Sequence, residues 1–390
     1  MINLIKKYEN KLIEHGLCEQ EQILLGGRDA EIVWNKDSEA IPMLEKVFKN
    51  LNINSLLFAK PKEPVLSILN YIVEENLALG EISPNDAETR TFLHTIPLTG
   101  ECSHEIIIQK LKERKSIIIA NHGIVTYGSV TPEQAFVVFS SVCFAVFVKF
   151  FADYYYSYKQ NNVNPRQKEI LEKTISHYKK QMEQYKAGKN LKTGPFSNNE
   201  EVLTAIFEAG KSIVDFRMVD SFFGNISYRL GNSIIISQTG SSLDELPGCI
   251  DICPVDGSSC VGITASSEYS AHKSILMEED HLCILHGHPK FSVIMSLLCD
   301  NEDCADRGLC YKKCPEQRFI EDIPIITGEV GTGPTGISNT LPPAIKNSRG
   351  VIVFGHGVFT KSRKDFNEAF SNLTQIERMC FEGFLGRVNY

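Results

Sequence analysis

The sequence contains no apolar run as long as the roughly 20 residues that a membrane-spanning helix requires. Its longest apolar stretch, residues 135–151, is interrupted by Ser140, Ser141 and Lys149, which favours a buried helix. Residues 1–16 also lack the apolar segment of a secretory signal. We therefore expect a cytoplasmic protein with no membrane partner.

Positive charge is not in excess either, because 40 lysines and arginines stand against 48 aspartates and glutamates, for a formal net charge of −8. General nucleic-acid binding requires a basic surface, so this balance argues against a nucleic-acid partner. With 43% apolar and 23% charged residues, the composition is typical of a soluble globular protein.

A length of 390 residues suits about two domains. Residues 161–199 are charged and end in a polar stretch with Gly and Pro, so we interpret them as a charged helix and linker between domains at 1–160 and 200–390. Hydrophobic spacing predicts helices over residues 1–16, 38–50, 67–79, 131–151, 201–214, 266–277 and 365–385. It predicts strands over residues 53–58, 115–120 and 233–237, two short strands within residues 249–261, and a strand that leads into His286.

Two histidines one residue apart, His286 and His288, follow the apolar run at residues 282–285. Residues i and i+2 of a strand share a face, so both imidazoles can bind one metal ion. Another apolar run ends at His356, and Glu268 adds a carboxylate upstream. Three protein ligands would leave one coordination position open for chemistry, and this set is the central hypothesis.

Part of this pattern occurs twice. Ser38-Glu39, followed by a helix and a strand, parallels Ser267-Glu268, and residues 119–125 parallel residues 353–359. We interpret the first half as a second copy of the same fold.

The first copy lacks most of the candidate ligands. It has Phe58 and Lys60 where the second copy has His286 and His288, and nothing before Ser38 matches the small-residue loops of the second copy. We therefore expect a degenerate, truncated copy that does not bind the metal.

The second half resembles the class II aldolase/adducin family. The resemblance rests on Gly-Asn-Ile-Ser at 224–227, Gln-Thr-Gly at 238–240, Ser-Ser-Glu at 266–268, His-Gly-His-Pro at 286–289 and His-Gly at 356–357. It implies an α/β fold, here tandem class II aldolase-like α/β/α sandwiches around mainly antiparallel sheets.

The resemblance also implies Zn²⁺ or another divalent metal such as Mn²⁺ on His286, His288 and His356. It implies a phosphate pocket whose residues would be Asn225, Thr239, Gly240, Ser266 and Ser267. Small residues let backbone N–H groups approach an anion, and hydroxyl groups add donors.

Glu268 occupies the position where the resemblance implies glutamate in aldolases and aspartate in epimerases. We therefore expect a lyase that cleaves or forms a C–C bond in a small phosphorylated ketose through an enediolate, with Glu268 transferring the proton at carbon. Tyr311 is the candidate for the family's catalytic tyrosine. The alternatives are an epimerase, decarboxylase or dehydratase on the same scaffold, and a non-catalytic adducin-like binding protein.

The family resemblance implies cyclic tetramers, so a chain with two copies is expected to form a homo-dimer that imitates a tetramer. Four cysteines lie close together in the sequence: Cys299, Cys304, Cys310 and Cys314. Their spacing fits no common motif, and they could bind a second, structural Zn²⁺, hold an iron–sulfur cluster, or remain free thiols.

Overall fold

The computed structural model describes residues 1–219, 222–278, 280–329 and 331–390. The chain divides into two compact units, Met1–His177 and Tyr178–Tyr390. The division falls within a charged helix, Pro165–Ala187, that occupies much of the segment expected to be helix and linker.

The helices and strands alternate along the first unit. In chain order they are α1 (Ile2–Glu14), β1 (Ile23–Arg28), β2 (Ile32–Trp34), α2 (Ile41–Asn50), β3 (Ser55–Ala59), α3 (Val65–Asn76), β4 (Glu81–Ile82), α4 (Ala87–Leu93), β5 (Ile96–Thr99), α5 (His104–Leu111), β6 (Ser116–Ile119), β7 (Gly123–Gly128) and α6 (Pro132–Lys159), followed by α7 (Pro165–Ala187).

The second unit repeats this alternation with one additional strand. In chain order its elements are α8 (Asn199–Asp215), β8 (Asn225–Leu230), β9 (Ser233–Ser237), β10 (Ile250–Pro254), α9 (Tyr269–Glu278), β11 (Cys283–Gly287), α10 (Lys290–Leu297), β12 (Arg318–Ile320), β13 (Ile323–Ile326), α11 (Ile337–Ile345), β14 (Gly350–Val353), β15 (Gly357–Ser362) and α12 (Phe366–Arg387).

Each unit contains one mainly antiparallel sheet. The strand order is β2-β1-β3-β7-β6-β5-β4 in the first unit and β10-β9-β8-β11-β15-β14-β13-β12 in the second. One neighbouring pair in each sheet is parallel, β5 with β6 and β13 with β14. The prediction of tandem α/β units around mainly antiparallel sheets is confirmed.

The central strands of the two sheets also share their register. The facing pairs are Ser55–Gly128, Leu57–Thr126 and Phe58–Val125 between β3 and β7, and Cys283–Ser362, Leu285–Thr360 and His286–Phe359 between β11 and β15. The hydroxyls of Thr126 and Thr360 donate at 2.8 Å to the carbonyl oxygens of Ala135 and Ala369, respectively. This register supports the interpretation of the first unit as a copy of the second.

Two expectations about the strands need correction. The first unit is not truncated before Ser38, because β1 and β2 lie there and take the places of β8 and β9. Residues 249–261 form only one strand, β10, since the polar turn after Pro254 leads into a short 3₁₀ helix at Cys260–Ile263.

Helices cover both faces of the second sheet. Alternate residues of a strand point to opposite faces, so Ile284, Val351 and Val353 join a core with buried residues of α9 and α11. On the other face, α12 packs against β11 and β15, and α10 against β14. In the first unit, α2 and α5 contribute to one core, while α6 packs against β3 and β7.

Within the described residues, α6 alone is long and apolar enough to cross a membrane by length and composition. The most apolar window of this helix is 89% buried inside the structure. This burial agrees with the buried helix predicted for residues 135–151.

Candidate metal centre

Three imidazoles converge at one end of the second sheet. His286 lies on β11, His288 directly follows this strand, and His356 lies in the turn between β14 and β15. The Nε2 atom of His286 is 2.9 Å from Nε2 of His288 and 3.2 Å from Nε2 of His356. Over the described ranges, they form the one group of three or more potential ligands within 4.8 Å of one another.

The backbone brings the histidines together through two glycines. Gly355 has a φ of +58°, which allows the tight turn that presents His356. A β-carbon on Gly357 would collide with the carbonyl oxygen of Gly287, so the turn approaches the end of β11 only because residue 357 is glycine.

Hydrogen bonding fixes which nitrogen of His286 faces the centre. Its Nδ1 lies 3.0 Å from the carbonyl oxygen of Val358, which can only accept, so Nδ1 carries the proton. The Nε2 lone pair of the neutral ring therefore points toward His288 and His356. The ring of Phe359 stacks on His286 with a centroid distance of 3.8 Å, which restricts ring rotation.

Burial favours the neutral form of His286 and His288. Loss of solvent lowers the pKa of His286 to about 4, although the carboxylate of Glu268 opposes the shift. Burial also lowers the pKa of His288 well below its ordinary value, and the neighbouring histidines add to this effect. Neutral imidazole is the form that binds a metal ion.

Glu268 lies beside the same nitrogen atoms. Its two carboxylate oxygens are 3.3 Å from Nε2 of His356 and 3.7 Å from Nε2 of His286. The side-chain amide of Asn225 donates to this carboxylate at 2.6 Å. Burial raises the pKa of Glu268, but the positive charge of His286 or His356, whenever either ring is protonated, and the amide of Asn225 outweigh burial and hold the pKa below its ordinary value.

The donor set fits a divalent metal. Tetrahedral Zn²⁺ with bonds of about 2.0–2.1 Å to nitrogen places its ligand atoms about 3.3–3.4 Å apart. The separations of 2.9 and 3.2 Å are close to that spacing. The bond from His286 to the Val358 carbonyl supplies the hydrogen-bond support that is usual for a ligating imidazole.

A loop of small polar residues borders the centre. The hydroxyl of Thr239 accepts from the backbone N–H of Ser267 at 3.0 Å, which joins the two loops. Thr239, Gly240 and Ser267 are exposed, whereas Ser266 is buried and its hydroxyl accepts from the N–H of Glu268 at 3.3 Å. The structure thus brings the predicted phosphate-pocket residues next to Glu268.

Residues 204–382 match the family model for the Class II Aldolase and Adducin N-terminal domain. The second unit belongs to the class II aldolase/adducin family. The match does not extend into the first unit, so the origin of that unit as a degenerate copy stays a prediction that rests on its topology.

Solved structures similar to this chain include aldolases and aldolase domains. L-Fuculose-1-phosphate aldolase from Thermus thermophilus is 19% identical, with 48% of this chain and 94% of that chain covered and a TM-score of 0.38. A sugar-phosphate aldolase from Thermotoga maritima is 18% identical (46% and 92% covered, TM-score 0.34). The N-terminal class II aldolase domain of a Thermoplasma acidophilum protein is 11% identical (49% and 97%, TM-score 0.34). No curated protein sequence matches the chain.

Two sets of residues predicted from the sequence, Tyr311 and the four clustered cysteines, do not lie at the three-histidine centre. The backbone carbonyl of Tyr311 accepts from Gly328 at 3.0 Å and Lys312 lies over its ring, and none of the described contacts joins Tyr311 to the histidines. The four partly buried thiols, those of Cys299, Cys304, Cys310 and Cys314, form no group of three within ligand distance in the described residues. The second metal site therefore stays a prediction, because these four thiols form no ready-made ligand group among the described residues.

Sequence reasoning missed several residues that support the centre of this family domain. Ser227 hydrogen-bonds to Nδ1 of the buried His272 at 2.7 Å, and the backbone N–H of His272 donates to the carbonyl oxygen of Glu268 at 3.1 Å. Glu377 on α12 accepts from the backbone N–H groups of Phe291 and Ser292, each at 2.8 Å, at the start of the helix that follows His288. Glu377 could have been identified from the sequence, because it is a glutamate on an otherwise apolar face of its helix.

Proposed function

We propose that the second unit is a metal-dependent lyase of the aldolase type that cleaves or forms a C–C bond in a small phosphorylated ketose. One observation carries the proposal: the buried carboxyl group of Glu268 lies 3.3 Å from a nitrogen of the three-histidine group. A scaffold protein has no need of a buried carboxyl group beside three buried imidazoles, because such a cluster is costly to bury.

His286, His288 and His356 would hold the metal, and three imidazoles favour Zn²⁺ among the divalent ions considered. The bound metal would supply Lewis acidity toward a ketone oxygen and its neighbouring hydroxyl. Because the three rings are buried and restrained, the protein has already arranged its ligands before the substrate arrives.

Glu268 would transfer the proton at carbon. In the cleavage direction the carboxylate of Glu268 accepts the proton of the C4 hydroxyl, the C3–C4 bond breaks with its electron pair left on C3, and the aldehyde departs. Glu268 then returns a proton to C3, which yields dihydroxyacetone phosphate. The amide of Asn225 favours the ionised carboxylate and fixes its orientation, so Glu268 is ready to accept the proton in the reverse direction.

The exposed hydroxyls of Thr239 and Ser267, together with the backbone N–H of Gly240, would bind the phosphate. These residues lie next to Glu268 in the fold, so a bound phosphate would leave the carbonyl carbon within reach of both the carboxylate and the histidines. The side chain of Ser266 is committed to the N–H of Glu268 and would contribute through its position.

The half-reaction provides a test that does not require the aldehyde to be known. We expect the Zn²⁺- or Mn²⁺-loaded protein to exchange one carbon-bound hydrogen of dihydroxyacetone phosphate with deuterated water. Glu268→Gln should slow this exchange by about 10²–10⁴-fold while leaving the metal content unchanged. A panel of phosphorylated ketoses, assayed for aldehyde release, then identifies the substrate.

His356→Ala should remove both metal and exchange. His104→Ala is the matched control, because this half-buried histidine pairs with exposed Glu105 in the first unit. If the metal-loaded wild type neither exchanges hydrogen nor releases an aldehyde from any ketose of the panel, the lyase assignment is wrong.

A further inference from the structure

The first unit contains a cavity at the place that corresponds to the metal centre. Phe58 and Lys60 occupy the positions in and after β3 that His286 and His288 occupy in and after β11, as the shared strand register requires. His122 takes the place of His356, and its N–H donates to Ile119 at 3.0 Å as that of His356 donates to Val353 at 3.1 Å.

The cavity has a volume of about 240 Å³. Its walls include Lys36, Ser38, Phe58, Lys60 and His122. A smaller cavity of about 120 Å³ is also lined by Lys60, which therefore lies between the two. Phe58 and Lys60 stand where the second unit has candidate metal ligands, and an open space remains beside them.

Positive groups dominate this cavity. Nζ of Lys36 is held at the wall by the backbone oxygen of Glu21 at 2.6 Å. Lys60 is half-buried and makes no ion pair within the part of the chain that the structure describes. One carboxylate, that of Glu21, borders the cavity against two ammonium groups, those of Lys36 and Lys60.

The start of α2 adds to this polarity. Ser38 and Ala40 line the cavity, and α2 begins at Ile41 without a side-chain cap and without a carboxylate in its first turn. The N-terminus of a helix carries a partial positive charge, so it favours an anion in the same space as the two lysines.

We propose that this cavity binds a small oxyanion, the phosphate or carboxylate group of a metabolite, with the ammonium of Lys60 providing the positive charge that the metal would provide in the second unit. A volume of about 240 Å³ is below the roughly 300–1,000 Å³ of sites for larger ligands. The ligand should therefore be no larger than a three-carbon phosphate or acid. The proposal is independent of the lyase reaction, since no metal or catalytic residue takes part.

The chain carries a fluorescent reporter close in sequence to a residue of the cavity wall. Trp34 is its single tryptophan, and it lies on β2 two positions before Lys36 and packs against Phe48 at a centroid distance of 5.7 Å. Its fluorescence reports on the first unit, and comparison with Lys60→Met separates this signal from anion binding at the Thr239 loop of the second unit.

The experiment titrates full-length, metal-free protein with glycerol 3-phosphate, lactate and uncharged glycerol, with tryptophan emission and calorimetry as readouts. We expect a saturable change in tryptophan emission with at least one of the two anions and no change with glycerol. Comparison of glycerol 3-phosphate with lactate shows whether the site binds a phosphate or a carboxylate group. Lys60→Met should weaken binding at least tenfold. Lys62→Met should have no effect, because Lys62 pairs with Glu19 at 2.8 Å and does not line the cavity.

Two outcomes would overturn the proposal. One is a change in tryptophan emission that reaches its midpoint at the same anion concentration in wild type and in Lys60→Met. The other is no emission change in the wild type together with calorimetric heats that are identical in wild type and Lys60→Met.

Discussion

Gly357 passes so close to the carbonyl oxygen of Gly287 that no β-carbon fits between them. A β-carbon there would also lie 2.9 Å from Cε1 of His286 and 3.0 Å from Cδ2 of His288. The space between two strand ends thus determines the positions of two candidate metal ligands.

Gly357→Ala should therefore displace both histidines. We expect a loss of about 1–3 kcal/mol in the unfolding free energy of the second unit, from overpacking, and at least a tenfold loss in Zn²⁺ affinity. Gly386→Ala is the control, because a β-carbon there meets no atom within 4 Å. Equal Zn²⁺ affinity in both variants would contradict this account of the turn.

Metal content should depend on each of the three histidines. We expect elemental analysis to find one divalent ion per wild-type chain and close to none in His288→Ala, because two imidazoles alone bind Zn²⁺ weakly. Retention of the ion in His288→Ala would exclude the proposed ligand set. A second ion per wild-type chain that persists in His288→Ala would instead indicate that the cysteine insert closes around a metal.

Asn225→Asp should change the pH dependence of the proposed exchange reaction. A second carboxylate in place of the amide that donates at 2.6 Å repels the charge on Glu268 and raises its pKa. Glu268 would then become ionised only at higher pH, and the acidic limb of the exchange rate should shift upward by about one pH unit or more. Asn232→Asp, in an exposed loop, should leave the profile unchanged.

Glu377 should make stability depend on pH in a defined direction. Burial raises the pKa of Glu377 from 4.5 to about 7, although the N–H groups of Phe291 and Ser292 oppose the shift. Because the folded state holds the proton more tightly, this contribution to stability is complete below pH 4.5, is lost as pH rises through about 7, and is constant above that.

Glu377→Gln removes this titration and leaves one helix N–H without an acceptor, at a cost of about 1–3 kcal/mol at neutral pH. The difference in unfolding free energy between wild type and variant should therefore decrease from about pH 5 to about pH 7. Urea unfolding at several pH values measures it, with the exposed Glu382→Gln on the same helix as the control. A difference that grows with pH would contradict the assignment.

Much of the site could be predicted from sequence because its residues follow apolar strands directly. His286, His288 and His356 each end such a run, and residues at neighbouring strand ends meet at one edge of a sheet. Glu268 precedes a helix, where a Ser-Ser pair marks the start. These signals are local, so a single sequence contains them.

The remaining features depend on long-range packing or on weak local signals. β1 was missed because two of its residues, Gly26 and Gly27, have low strand propensity, and its pairing with β2 and β3 stabilises it. The carbonyl of Val358 that orients His286 is a backbone group, which every residue has, so the residue type at 358 does not predict this hydrogen bond. The contact between Glu377 and Ser292 joins residues 85 positions apart.

The common register of β3–β7 and β11–β15 gives this polypeptide an internal reference. Residues that are the same in both sheets, such as Thr126 and Thr360, make the same structural hydrogen bond. Lys60 and His288 occupy matched positions but differ, as expected where the residue type depends on binding or catalysis and not on the fold. Paired mutational scans of both halves, compared place by place, would thus separate tolerance set by folding from tolerance set by catalysis within one molecule.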